Sequence, residues 1–297
     1  MLDYIEETGR FKFRDGYNPD IVALRLNLDP VKAVHRPWLF YFRAFLRGPQ
    51  VTYWYRPGRQ ATTGEQEMLP IVITHGIGIG MVSYLKFIWH VFHVTRGDAP
   101  IYLVELPHVS MRFHGRAPTV PETVRELDAA LVEHGHSRAV FVGHSLGSTV
   151  VAGMCRHARK RVAAAVLIDP ICFLLHLPAV AHGFVRRRPT RANERFIAFF
   201  ASRELFISRF ISRSFHWYHS CMWADDLPPD ATVFLSRDDL LVPSAEVGAY
   251  LKRHQVQHHM MPLDHAQFML NAHWETKVVR TIADYAANHS TTSVSSS

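Results

Sequence analysis

The chain has 297 residues and a mass of 34.0 kDa, with 48% apolar and 20% charged residues. This length can bury a large core, and the composition excludes disorder over most of the chain. The net charge of +7 comes from 27 Arg and 6 Lys against 26 acidic residues. That excess is far from the concentrated charge of a nucleic-acid-binding domain, so no nucleic-acid partner is expected.

Residues 1–50 are predicted to be an N-terminal extension. Their first residues, Met1–Glu7, are acidic and contain no apolar signal core, which argues against secretion. Three cysteines form no paired framework, so we expect reduced thiols and a cytoplasmic protein. The aromatic run Pro37–Leu46 is too short to span a bilayer, and it either packs on the core or lies at an interface.

Strand and helix patterns alternate from residue 51 onwards. Three β-rich or apolar runs predict strands, namely Val51–Arg56, Leu69–Thr74 and Pro100–Glu105. The run Met81–His93 is apolar on nearly all sides and predicts a buried helix. Thr119–Glu122 forms a capping box with a proline in the first turn, which marks the start of another helix.

The same alternation continues in the second half of the chain. Strands are predicted at Ala139–Val142, Val162–Ile168, Ala231–Leu235 and Val256–Met261, and helices at Leu146–Lys160, Ser244–His254 and along a stripe from Trp274 to Tyr285. Strands joined by helices need right-handed crossovers. The predicted fold class is therefore α/β, with a mostly parallel central sheet and helices on both faces.

Residues 171–228 break this alternation with a long, aromatic, arginine-rich and helix-like excursion. Because so long an excursion usually covers a site, we predict an inserted helical lid here. The core then has two parts, residues 51–170 and 229–289, and residues 290–297 form a low-complexity tail that is predicted to be disordered.

The stretch Val162–Val185 has the hydropathy of a membrane span. However, Pro170 and Pro178 divide it into two short runs, and Asp169 lies near its middle. We therefore predict a buried strand followed by an apolar segment of the lid.

The lid carries the densest basic cluster of the chain, at Arg186–Arg188 and Arg191. Between Arg186 and Arg213 there are eight Arg and two Glu, and the apolar run Phe173–Leu177 lies just upstream. This pattern leaves two interpretations open, a solvated lid face or a contact with an anionic membrane surface.

Gly143–Gly147 has the sequence Gly-His-Ser-Leu-Gly, which matches the pattern G-x-S-x-G. It lies between a predicted strand and a predicted helix, as a nucleophile elbow requires. Such a turn holds the serine hydroxyl above the sheet in a strained conformation, and small flanking residues permit the turn. Ser145 is therefore the candidate nucleophile.

The chain resembles the α/β-hydrolase superfamily over residues 51–289. The resemblance rests on this elbow, on His75–Gly76 after an earlier strand, and on an acid loop and a histidine loop that follow the elbow in the family's order. The arginine- and aromatic-rich lid further resembles that of eukaryotic members without an assigned activity. The resemblance implies the α/β-hydrolase fold and a catalytic triad in the order Ser145, Asp239, His265.

The resemblance also selects the acid and the histidine. Ser236–Pro243 fits the family's acid loop, Gly-x-x-Asp-x-x-Val-Pro, with Ser in place of Gly, and this alignment selects Asp239 over Asp238. Asp169, which follows another strand, is the remaining candidate acid, although an Asp-Pro turn is the favoured interpretation. His265 lies in the segment that fits the family's histidine loop.

An oxyanion hole needs two backbone N–H donors. The family places one on the residue after the nucleophile, which is Leu146, and the other in the loop after the first parallel strand, where Ile77 is the candidate. His75, Gly76 and His144 are predicted to contact the substrate. The loop lacks the G-x-G-x-x-G spacing of a dinucleotide site, so no cofactor is expected.

His216, His219 and Cys221 have the spacing of half a metal site, but no second pair accompanies them in the sequence. We therefore interpret them as a packing motif and predict no metal.

These expectations together predict a serine hydrolase that cleaves a carboxylic ester, with a lipid-like ester as the candidate substrate, through an acyl-enzyme on Ser145. Two alternatives remain open. An acyltransferase would use the same triad, and a non-catalytic member of the fold would bind a ligand without turning it over.

Overall fold

A computed structural model describes residues 12, 16, 28–34, 51–59, 67–112 and 115–288. The predicted aromatic run Pro37–Leu46 and the predicted tail at 290–297 lie outside the described residues. The strands are β1 (Thr52–Arg56), β2 (Ile71–Thr74), β3 (Ile101–Glu105), β4 (Ala139–His144), β5 (Val162–Ile168), β6 (Ala231–Ser236) and β7 (Gln257–Met261).

The α-helices are α1 (Leu85–Val94), α2 (Val120–Glu133), α3 (Gly147–His157), α4 (Pro178–Ala181), α5 (Ala192–Ile197), α6 (Leu205–Arg213), α7 (Trp217–Ser220), α8 (Ser244–Arg253) and α9 (Ala272–Asn288). Short 3-10 turns lie at Gly80–Tyr84, Pro107–Val109, Arg159–Arg161, Ala224–Asp226 and Gln267–Leu270, and π turns at His182–Arg186 and Ala198–Ser202.

The seven described strands form one sheet in the order β1-β3-β2-β4-β5-β6-β7. β1 runs antiparallel to β3, and every other neighbouring pair is parallel. The prediction of a mostly parallel α/β sheet is therefore confirmed. Because β4 lies between β2 and β5, the carboxyl ends of these three strands meet at one edge of the sheet.

Alternate side chains of the strands point into two separate cores, one on each face of the sheet. On β2, Ile71 and Ile73 join one core while Val72 joins the other. Helices α1 and α9 cover the first face, and α2, α3 and α8 cover the second. This is the arrangement that right-handed crossovers between parallel strands produce.

Two local predictions are confirmed in detail. The Thr119 side chain accepts from the Glu122 N–H and the Glu122 carboxylate accepts from the Thr119 N–H, so the capping box starts α2. β5 is a fully buried strand, as the apolar run Val162–Ile168 predicted. Within the described residues, no helix is both long and apolar enough to cross a bilayer.

The prediction of a buried helix at Met81–His93 is wrong for the outer face of the segment. The segment begins as a 3-10 turn, and α1 then buries Phe87 and Val91 while Leu85 and Trp89 are exposed. A helix in the outer layer of a sheet protein has only one face against the sheet, whatever its opposite face contains.

Residues 171–228 leave the sheet between β5 and β6, where α4 to α7 are placed. We call this segment the insertion. Residues 28–34 run along it, because the Val34 N–H donates to Arg203 O at 2.9 Å and the Ser208 hydroxyl donates to Lys32 O at 2.9 Å.

Candidate active site

Ser145 occupies a tight turn between β4 and α3. Its φ is +51°, a left-handed conformation that costs free energy for a non-glycine residue, and its N–H donates to Ile168 O on β5 at 3.0 Å. The flanking glycines are required by close approach. A Cβ on Gly147 would lie 2.4 Å from Thr74 O on β2, and one on Gly143 would lie 2.9 Å from Gly147 O.

A line of hydrogen bonds connects Ser145, His265 and Asp239. The Ser145 Oγ lies 2.9 Å from His265 Nε2, and His265 Nδ1 lies 2.7 Å from Asp239 Oδ2. The other oxygen of Asp239 accepts the N–H groups of Leu241 and Val242 at 2.7 and 3.0 Å. The structure thus brings together the three residues that the family resemblance implies as a triad.

Asp238 points elsewhere. Its side chain is exposed and pairs with the neighbouring Arg237 at 3.4 Å. The loop after β6 turns between the two acids, so only Asp239 faces the histidine.

Opposing effects act on the imidazole of His265. Burial lowers the pKa of His265, but the charge and hydrogen bond of Asp239, together with the charge of Asp169, outweigh it and raise this pKa to about 9. The neutral imidazole, which can accept a proton from a hydroxyl, therefore becomes more populated as the pH rises through this value.

Asp169 anchors the loops that carry the acid and the histidine. Its buried carboxylate accepts the Ser236 N–H at 2.8 Å and the Ala266 N–H at 2.9 Å. Ser236 ends β6 just before the Asp239 loop, and Ala266 directly follows His265. Burial raises the pKa of Asp169 to about 6.

Asp169, Asp239 and His265 each place one donor atom within 4.8 Å of the others, the only such group of His, Cys and acidic residues in the described part of the chain. Asp169 and Asp239 bind backbone N–H groups, and His265 bridges Asp239 and Ser145. This use of the donor atoms fits a hydrogen-bonded site rather than a cation site. The predicted packing motif of the insertion is a separate group. The rings of His216 and His219 both pack on Tyr218, and the centroids of the two histidine rings are 6.2 Å apart.

Ile77 and Leu146 both line the cavity beside Ser145. Among the described residues, neither N–H has a hydrogen-bond acceptor, so both can donate to a substrate oxygen. The neighbouring N–H groups are already bonded, that of Gly76 to the Tyr84 hydroxyl at 2.9 Å and that of Gly78 to Val109 O at 3.0 Å.

The structure does not bring His75 and Gly76 to the cavity wall, where the sequence had placed them as substrate contacts. The His75 side chain is fully buried, its Nε2 accepts the Leu106 N–H at 2.9 Å, and its Nδ1 lies 2.6 Å from Gly76 O. Burial lowers the pKa of His75, which fits this neutral tautomer. Its imidazole therefore fixes the loop that carries Ile77 and does not reach a ligand.

His144 does line the cavity. Its Nδ1 lies 2.5 Å from the Tyr84 hydroxyl, which also accepts the Gly76 N–H. Burial, aided by the nearby His265, lowers the pKa of His144 well below its usual value, so the neutral ring accepts from Tyr84. Tyr84 was not predicted from the sequence, because nothing in its local pattern distinguishes it from an ordinary core aromatic.

A cavity of about 1240 Å³ opens above Ser145, between the carboxyl edge of the sheet and the insertion. Its wall is mostly apolar, and the insertion supplies residues from α4, α5, α6 and α7. Apolar residues of the insertion that line the cavity, both in these helices and in the turns between them, include Leu175, Val180, Phe184, Ile197, Phe200 and Phe215. The elements that the sequence could not assign to the sheet therefore form most of the cavity wall.

Comparison with known proteins agrees with this fold. A family model described as "Alpha/beta hydrolase family" matches residues 71–286. No curated protein sequence matches the chain.

Solved structures with a similar fold include a monoacylglycerol lipase from Paleococcus ferrophilus, 16% identical, with a TM-score of 0.54 over 82% of this chain and 100% of the lipase chain. A thermophilic esterase from Thermogutta terrifontis is 16% identical, with a TM-score of 0.56 over 80% of this chain and 94% of the other. A putative aryl esterase from Burkholderia cenocepacia is also 16% identical, with a TM-score of 0.52 over 79% and 93% of the two chains.

Proposed function

The chain belongs to the alpha/beta hydrolase family, and we propose that it is a serine hydrolase that cleaves carboxylic esters with a large apolar acyl group. The observation that carries this proposal is the hydrogen-bonded line from Ser145 through His265 to Asp239 at the base of a mostly apolar cavity of about 1240 Å³. A cavity of that size accommodates a lipid-like acyl chain.

In the proposed first half-reaction, Ser145 Oγ attacks the ester carbonyl while His265 Nε2 takes the hydroxyl proton. Asp239 holds the imidazole by Nδ1 and stabilises its charged form. The N–H groups of Ile77 and Leu146 are available to the oxyanion of the tetrahedral intermediate. His265 then passes its proton to the departing alcohol, which leaves the acyl group on Ser145.

In the second half-reaction, His265 takes a proton from water, and the resulting hydroxide oxygen attacks the acyl carbonyl. The proton returns to Ser145 Oγ as the carboxylic acid leaves. Because the first step needs a neutral imidazole, and Asp239 and Asp169 raise the pKa of His265, turnover is expected to increase from neutral to alkaline pH.

The apolar wall also favours a second candidate, an acyltransferase. An alcohol that partitions into the cavity more readily than water would attack the same acyl-enzyme and leave as a new ester. Adding acceptor alcohols to a turnover assay separates the two reactions, because a transferase forms the new ester at the expense of the free acid.

The proposal is tested with a panel of nitrophenyl esters from acetate to palmitate and with a fluorophosphonate probe that labels activated serines. Ser145→Ala is expected to lose labelling and to lower turnover by about 10⁴- to 10⁶-fold, since the attacking hydroxyl is gone. Ser137→Ala, at an exposed serine just before β4, is the matched control and should behave like the wild type.

Two outcomes would overturn the proposal. One is near-wild-type turnover by a Ser145→Ala preparation, and the other is a wild type that neither reacts with the probe nor hydrolyses any ester in the panel.

A further inference from the structure

Five residues of the insertion combine exposed arginines with exposed aromatic rings. We call Arg188, Arg191, Arg195, Phe196 and Phe199 the arginine–phenylalanine patch. Phe196 is 62% exposed and Phe199 is 44% exposed, although both are large apolar side chains. Both rings pack on Phe200, with centroids 4.4 and 4.9 Å away, so they belong to one aromatic cluster at the surface.

Among the described residues, the three arginines of the patch are not paired with an acid. All three are exposed, and among the described residues no acidic side chain lies within ion-pair distance of them. The two acids of the region are engaged within the insertion. Glu194 accepts the N–H groups of Thr190 and Arg191, and the buried Glu204 accepts the Ile207 N–H.

The structure changes which arginines of the basic cluster face outward. Arg186 pairs with Asp29 of the segment that runs along the insertion, and Arg187 pairs with Glu194 at 3.4 Å. Arg186 ties the insertion to residues 28–34, Arg187 forms an ion pair within the insertion, and Arg188 is exposed. The predicted cluster Arg186–Arg188 is therefore divided between internal ion pairs and the surface.

The patch reaches the cavity through one of its residues. Phe196 lines the cavity and is exposed at the same time, as are Leu177, Trp217 and Leu270. Large exposed apolar side chains that also line an apolar cavity are costly in water, and a group of them indicates a site of interaction.

We propose that this patch docks the protein on an anionic lipid bilayer, with the arginines on headgroup phosphates and the phenylalanines in the interfacial region. Guanidinium groups bind phosphate through two parallel hydrogen bonds. Transfer of an exposed phenylalanine side chain from water to the boundary between headgroups and acyl chains lowers the free energy. Because Phe196 also lines the cavity, docking through the patch brings the cavity wall next to the membrane, from which a lipid ester can enter without crossing water.

Binding is measured with the full-length chain carrying Ser145→Ala, so that the result does not depend on the proposed activity. The probes are co-sedimenting vesicles of phosphatidylcholine alone and of phosphatidylcholine with phosphatidylserine, at low and high salt. Replacing Arg188, Arg191 and Arg195 by Gln is expected to weaken partitioning onto the anionic vesicles by roughly 100-fold, about fivefold for each arginine. High salt should weaken wild-type binding in the same direction.

The matched control replaces Arg125, Arg253 and Arg280 by Gln. These exposed arginines lie on α2, α8 and α9, outside the insertion, and their loss changes the net charge by the same amount. This variant is expected to bind vesicles nearly as well as the wild type. Equal loss in both triple variants would show that only the net charge matters and would overturn the proposal.

A second variant, Phe196→Ser with Phe199→Ser, tests the apolar half of the patch. It should weaken binding to anionic vesicles by about tenfold at constant charge, because two side chains no longer enter the interface. If the arginines are required and the phenylalanines are not, the protein adsorbs to the vesicle surface through charge alone and does not dock with its aromatic rings in the interface. That result overturns the proposal, as does a wild type that stays in the supernatant at low salt.

Discussion

At the scale of single residues, the site contains two buried carboxylates with different tasks. Asp239 bonds to the imidazole of His265 directly, at 2.7 Å. Asp169 accepts the backbone N–H groups of Ser236, just before the Asp239 loop, and of Ala266, just after His265. It therefore acts on His265 through its charge and through the position of the loop that carries His265. Asp169 is therefore a positioning residue in the proposed mechanism.

This division of tasks predicts the behaviour of Asp169→Asn. An amide can accept only one of the two N–H groups and turns its own NH₂ toward the other, so kcat is expected to fall about 10- to 100-fold. Loss of the negative charge also removes one influence that raises the pKa of His265. The acidic limb of the pH–rate profile should then move to lower pH, because the imidazole becomes neutral at a lower pH.

The control for this prediction is Asp238→Asn, which removes an exposed acid one residue before Asp239. Its pH–rate profile should match that of the wild type. A fall in kcat for Asp169→Asn with an unchanged acidic limb would mean that Asp169 has a structural role only.

At the scale of secondary-structure elements, α2 is stabilised by contacts that the sequence displays in full. The Thr119 hydroxyl and the Glu122 carboxylate exchange hydrogen bonds with each other's N–H groups, and Pro121 lies in the first turn. Thr119 and Glu122 are three residues apart along the chain, so the whole motif is local.

Thr119→Ala is expected to lower the free energy of unfolding by about 1 kcal/mol, because the N-terminal N–H groups of α2 lose a side-chain acceptor. The urea unfolding midpoint measures this loss. Thr119→Ser keeps the hydroxyl and should stay close to the wild type. If the serine and alanine variants unfold at the same urea concentration, the cap does not stabilise α2.

The insertion shows the opposite behaviour, since its structure depends on distant partners. Gly183 lies so close to the loop after β6 that a Cβ would be 2.7 Å from Leu240 O. Arg186 pairs with Asp29 and Arg213 donates to Asp29 O, so the insertion is tied to a segment far away in the chain. Nothing in the local sequence indicates any of these three contacts.

At the scale of the whole molecule, the cavity exists because the insertion is placed over the carboxyl edge of the sheet. Ala181 of α4 lines it from the insertion side, and Ile77 and Leu146 line it from the sheet side. The volume available to an acyl chain is therefore set by residues that take no part in the proposed chemistry.

Filling that volume should change the preference for acyl chain length. Ala181→Phe places a ring in the cavity and is expected to lower kcat/KM for long-chain esters about tenfold or more, while short-chain esters change little. The panel from acetate to palmitate measures this ratio. The control is Ala287→Phe, at an exposed position on α9. Equal losses for all chain lengths would contradict an acyl-binding role for the cavity.

The sequence by itself determined the order of the strands and the elbow at Ser145, and the resemblance of its Ser236–Pro243 loop to the family's acid loop selected Asp239 over Asp238 as the candidate acid. These features depend on side-chain periodicity, on glycine spacing and on a loop motif, all of which act over a few residues along the chain. The mostly parallel sheet followed from the same local information, because crossover handedness leaves few arrangements of alternating strands and helices.

Only the tertiary structure decided which surfaces are covered and which groups meet. One face of α1 is exposed, and His75 lies outside the cavity wall, where it accepts a backbone N–H group. Asp169 binds the backbone of two loops and so connects them. The arginines of the insertion are likewise divided between ion pairs and the surface. Burial and pairing are properties of residues that lie far apart in the chain, so no local pattern contains them.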